Sequence, residues 1–169
     1  MKPYMLIAIL LQLLLLSPCS GQSDKQLPLQ PIQTADSIVI GFKDASVPPT
    51  YHRSYQMFFT PAKAQYRLYA YDSTLLAEDI PFSKAQFDGL TALFLQYGVK
   101  SGKPNGSTKG CTGGTSRYVQ GFTMGKKQLN GSIYYCGSKS DGNIEGNLPE
   151  LCREAKKYFS KAVESDRDQ

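Results

Sequence analysis

The run Gly110-Cys111-Thr112-Gly113-Gly114-Thr115-Ser116 has the composition to present successive backbone N–H groups to an anion. It departs from a phosphate loop in two ways. Arg117 follows where a Lys would precede the hydroxyl residue, and the run leads into a β-branched, strand-like stretch instead of a helix. It reads better as a glycine-rich corner that lets Cys111 reach Cys136. Farther on, Asp141, Asn143 and Glu145 alternate and Gly146 follows, the oxygen spacing of the first half of a calcium loop. The place of the closing bidentate Glu is held by Cys152, so calcium is the lesser reading and a turn before a helix the better one. His52 is the sole histidine and reads as a surface residue at a strand edge. No Gly-x-Ser-x-Gly or His-Glu-x-x-His pattern occurs. The expectation is therefore a protein that is not an enzyme and carries no cofactor or metal.

Eleven tyrosines are the other chemical resource. Tyr69 and Tyr71 alternate with Leu68 and Ala70, so they point away from a core on the Leu68 side. With Arg67, and with His52, Arg53 and Arg117 nearby in strand-like segments, they have the composition of a recognition surface; the better reading is a half-wet sheet covered by tyrosines with their hydroxyls outward. Pro48-Pro49-Thr50-Tyr51 fits a WW-domain ligand and Asn105 and Asn130 head glycosylation sequons. Both patterns are read as turns.

The elements that must position these groups follow from periodicity. Ser37–Lys43, 53–60, 65–72 and 75–80 read as strands of a meander, and 116–124 and 132–137 as a later pair. Between the two sets, Ser83 and Gln86 form a capping box, Phe82 and Phe87 a hydrophobic staple, and Phe87, Leu90, Leu93, Phe94 and Tyr97 an apolar stripe closed by Gly98. A second helix starts at Asn147, with one stripe from Leu148 through Leu151, Cys152, Ala155 and Phe159 to Val163. Residues 101–114 read as a loop. The expected fold class is α+β, an antiparallel β-sheet with two helices packed on one face, in the order strands–helix–strands–helix.

Lys2 followed by the apolar run 5–16 and then Ser17-Pro18-Cys19-Ser20-Gly21 has the layout of an export signal, and the run is shorter than the ~20 residues a membrane span needs. Leu16 three residues before Cys19 resembles the lipobox of bacterial lipoproteins, although Pro18 stands where that pattern has Gly, Ala or Ser. The resemblance implies a lipidated Cys19 and a membrane anchor; plain cleavage near Gly21 with secretion, and an uncleaved anchor, are the other readings. The expected organisation is a signal over 1–19, a Gln/Pro/Ser tether over 20–36, one globular domain over 37–165 and a tail over 166–169. Beyond Cys19 three cysteines remain, allowing one bridge, Cys111 to Cys136 or Cys136 to Cys152.

The net charge is +5 in a chain of 169 residues. It is dispersed, which excludes the concentrated basic face nucleic acid requires. Signal, tether and strand–helix order together resemble the small uncharacterised lipoproteins of bacterial envelopes. The resemblance implies a non-enzymatic envelope domain that meets a protein or glycan partner through its open sheet face. A secreted or periplasmic inhibitor of a hydrolase is the alternative.

Overall fold

The computed structural model describes residues 31–106 and 112–167. Eight strands form one sheet: β1 (Ser37–Lys43), β2 (Ser54–Phe59), β3 (Lys63–Ala70), β4 (Ser73–Pro81), β5 (Lys100–Gly106), β6 (Thr115–Thr123), β7 (Lys126–Cys136) and β8 (Lys139–Glu145). Their spatial order is β4-β3-β2-β1-β6-β7-β8-β5, and every neighbouring pair is antiparallel. The chain thus runs as a meander outward from β1 to the β4 edge. Helix α1 (Lys84–Gln96) then carries it to the opposite edge, β5, before β6 returns beside β1. Helices α2 (Leu148–Lys156) and α3 (Ser160–Arg167) follow β8. The fold class is sheet-dominated α+β.

Alternation decides which residues enter the core. Ile38 and Ile40 of β1, Tyr55, Met57 and Phe59 of β2, Tyr66 and Leu68 of β3, and Val119 of β6 are buried. They join Phe87, Leu90 and Phe94 of α1 and Leu148, Leu151, Cys152 and Ala155 of α2 in one cluster. Register makes the cluster continuous: Ile40 lies opposite Met57 on one side and Val119 on the other. Removing side chains of this size from water supplies most of the stabilisation, at roughly 1.5–3 kcal/mol each.

The first helix forms as its local signals require. Ser83 Oγ accepts from Gln86 N, and Gln86 Oε1 accepts from Ser83 N at 2.8 Å. Phe82 and Phe87 are both buried, and Gly98 adopts φ +64° just past the end. Here the chain also touches the start of α2, because Asn147 N donates to Tyr97 O at 2.9 Å. Gly146 sits so close that a Cβ would lie 2.3 Å from Gly98 O, and its φ is +90°; no other residue fits.

Several expectations are corrected. The second helix does not run through Val163. It stops at Lys156, Phe159 turns into an aromatic cluster 5.6 Å from both Phe59 and Tyr66, and α3 begins at Ser160. The restart has a tertiary cause: the Glu78 carboxylate of β4 accepts from Ser160 Oγ at 3.0 Å and Lys161 N at 2.9 Å. α3 continues through Arg167, past the expected domain end at residue 165. Of residues 101–114, expected as loop, 101–106 belong to strand β5, while residues 107–111 lie outside the described residues. Ile32, expected in the tether, is 2% exposed within the core and sits in a 3-10 turn over Pro31–Thr34, so the core takes in residues ahead of Ser37. The expected signal, with Cys19, also lies outside the described residues.

Candidate functional site

Two concave surfaces stand out among the described residues; of the tyrosine and arginine residues singled out from the sequence, Arg53 and Arg117 line the first, none lines the second, and Tyr71 sits in a turn. The first is a cleft of about 550 Å³ lined by Phe42, Tyr55 and Leu68 of the core side, by Asp44, Tyr51 and Arg53 of the β1–β2 connection, by Arg117 of β6 and by the first turns of α2. The second is a trough of about 560 Å³ on the sheet, lined by Val39, Gln56, Tyr118, Gln120, Asn130, Ser132 and Asn143 together with Lys43 and Ser116.

The expected single surface of Arg67, Tyr69, Tyr71, His52, Arg53 and Arg117 does not exist as such. Arg67 and Tyr69 share the outward face of β3, alternating with buried Tyr66 and Leu68. Arg67 pairs with Asp79 at 2.5 Å and bonds the carbonyls of Tyr66 and Glu78. That contact raises the guanidinium and holds the Asp79 carboxyl below its ordinary range. Tyr71 is not in the strand: it occupies the β3–β4 turn with φ +52°. His52 is not a surface residue but is 7% exposed. Its Nδ1 accepts from Tyr71 N at 3.1 Å, and its Nε2 lies 3.3 Å from Ser54 Oγ. Arg117 is two residues from core Val119, so it faces the core side. Together with Arg53 it enters the cleft.

In the cleft, charge and burial work against each other. Arg117 lies over the rings of Phe42 and Tyr135, at 5.1 and 5.5 Å, and Lys156 lies over Tyr55 at 4.3 Å. Desolvation drives the Tyr55 hydroxyl far above its ordinary range, with the neighbouring Cys152 adding to the rise. It also pushes the Cys152 thiol up to about 11, which Tyr55 and Arg117 only partly offset. Cys152 is therefore a neutral thiol, poorly suited to be a nucleophile. Arg153 pairs with Glu150 and with Glu154, and the Glu150 carboxyl is lowered by its Arg153 partner.

The trough has a different chemistry. Gln120 Nε2 donates to Asn130 Oδ1 at 3.2 Å, and Asn143 Oδ1 accepts from Ser132 N at 2.9 Å. Tyr118 lies flat across Gly41, where a Cβ would be 2.2 Å from its Cζ, and its hydroxyl donates to Gln56 Oε1 at 3.2 Å. Burial raises the Tyr118 hydroxyl, so it stays a neutral donor. The sequence signal for this surface is the polar set alternating with the buried one on β2, β6 and β7.

The half calcium loop is corrected. Asp141, Asn143 and Glu145 stand in strand β8, Asn143 is bonded to β7, and Glu145 pairs with Lys100 at 3.1 Å. A straight strand spaces alternate side chains ~7 Å apart and does not wrap them around an ion. Among the described residues no group of three or more His, Cys, Asp or Glu could hold a metal, and no helix is long and apolar enough to cross a membrane. Cys136 is disulfide-bonded and Cys152 is a free, buried thiol, which overturns the pairing of these two. Cys111, with Gly110 before it, lies outside the described residues. No known family matches the sequence, and no curated protein does either.

Proposed function

We propose that this chain is a non-enzymatic binding domain of the bacterial cell envelope that takes a glycan in the trough on the open face of its sheet. One observation carries the reading. Gln56, Gln120, Asn130 and Asn143 present side-chain amides around an aromatic platform, Tyr118, on a concave face opposite the core. Amides offer paired donors and acceptors that match vicinal hydroxyls, and a tyrosine ring offers an apolar face with a polar tip. A protein strand would instead seek free backbone edges, and the trough lies over strands whose edges are paired.

The reading includes helices α1 and α2 packing on the face opposite the trough. It is supported by their sharing one core cluster with Ile38, Ile40 and Val119. It includes lipidation at Cys19, anchoring at a membrane and a Cys111–Cys136 bridge. The order of basic, apolar and small residues ahead of Cys19 supports the first two, and the bonded state of Cys136 the third.

The test is calorimetric titration of the full chain with solubilised peptidoglycan fragments and neutral oligosaccharides, comparing wild type with Tyr118→Ala and Gln120→Ala. Saturable binding weakened tenfold or more by both variants is expected. Binding that both variants leave intact, or no binding to any of these sugars, sinks the proposal. Intact mass of protein made in a bacterium with its own leader tests the anchor, which requires a diacyl increment on a chain starting at Cys19.

A further inference from the structure

We infer that the cleft between β1, β6 and α2 is a second binding site, for a small amphiphilic anion with a phosphate or carboxylate head and an apolar body. It is distinct from the trough and independent of it. The cations Arg53, Arg117, Arg153 and Lys156 line it against the carboxylates of Asp44 and Glu150, and both carboxylates are already engaged. Asp44 Oδ1 accepts from Ala45 N and Oδ2 from Arg53 N, each at 2.8 Å, while Glu150 is paired with Arg153.

Arg53 and Arg117, by contrast, form no ion pair among the described residues. Arg53 gives one Nη1–H to His52 O at 2.8 Å, and Arg117 lies over the faces of Phe42 and Tyr135. An arginine stacked between rings keeps its planar fork of donors open, the arrangement that receives an oxyanion in bidentate fashion. Arg53 and Arg117 bring two positive charges to one cleft, and an entering anion offsets both.

The rest of the lining says what the anion is attached to. Phe42, Leu68, Pro149 and the Tyr55 ring are apolar walls, and Tyr51, 73% exposed, stands at the rim. A cavity of about 550 Å³ is in the size range of small-molecule sites. A bare inorganic ion would leave these walls wet, and a neutral apolar molecule would bury the arginines without a partner, which is costly.

Calorimetric titration of the full chain with hexyl phosphate, hexyl glucoside and inorganic phosphate separates head from tail. Hexyl phosphate is expected to bind at least tenfold tighter than either of the others, with affinity that falls as salt is added. Arg117→Gln and Arg53→Gln should each weaken it tenfold or more, and Lys84→Gln, on the exposed start of α1, should change nothing. If circular dichroism shows Arg117→Gln unfolded, Arg53→Gln alone decides. Hexyl glucoside binding as tightly as hexyl phosphate, no binding of hexyl phosphate, or folded arginine variants with unchanged affinity would each overturn the inference.

Discussion

The imidazole of His52 stacks on the ring of Tyr71 with centroids 4.1 Å apart and planes inclined by 21°, while its Nδ1 accepts the backbone N–H of that same tyrosine. Nδ1 as acceptor puts the ring proton on Nε2, facing Ser54 Oγ. Tyr71 in turn donates its hydroxyl to Val47 O at 2.5 Å, so one side chain ties the β3–β4 turn to the β1–β2 connection that carries Arg53. His52→Ala removes a buried acceptor and leaves the Tyr71 N–H unpaired. It should cost ~1–3 kcal/mol in urea denaturation. A change within ±0.5 kcal/mol would show the pair to be incidental.

Gly41 gives Tyr118 its resting place. In Gly41→Ala the new Cβ meets the outer atoms of the tyrosine ring, which can swing aside, so stability should fall by no more than ~1–3 kcal/mol. Oligosaccharide affinity should fall tenfold or more because the platform has moved. Equal affinity in wild type and variant would detach Tyr118 from the site.

Cys152 sets a pH limit. Its thiol is raised to about 11 by burial, above the ~8.5 of an unfolded cysteine. The unfolded chain therefore releases this proton first as pH rises. The stabilisation is complete below about pH 8.5 and is lost on the way to pH 11, at ~1.4 kcal/mol per pH unit. Urea titrations at pH 8 to 11 should show a steeper decline in wild type than in Cys152→Ala. Parallel declines would mean that the thiol ionises freely in the native state.

Glu78 starts α3. Glu78→Ala removes the acceptor for Ser160 Oγ and Lys161 N, and should cost ~1 kcal/mol. Faster amide exchange should appear in residues 160–163 and leave α1 protected. Exchange unchanged in α3 would show that Phe159 packing alone holds it.

What was legible in the sequence was local. The Ser83–Gln86 box, the Phe82–Phe87 staple and the Gly98 stop act within a few residues of one another, and so does the Asn147 cap, whose Oδ1 accepts from Glu150 N. The buried alternation of β1, β2 and β3 was equally readable, because a period of two needs no knowledge of the partner strand. Strands β5 and β8 were not readable. KSGKPNG and KSDGNIE have turn composition, and they extend only because each pairs with the other and β8 pairs with β7; the proline of β5 is tolerated at a sheet edge.

The sequence by itself determined the α+β class, most of the core and the first helix, since these rest on periodicity and on caps closed by near neighbours. Only the tertiary structure decided the sites. Arg53, Arg117 and Cys152 converge from three separate elements, and Arg117 joins the cleft and Tyr118 the trough because the β1–β6 register turns consecutive residues to opposite faces. A one-residue slip there would exchange them, and no local pattern around residue 117 specifies which face meets the helices.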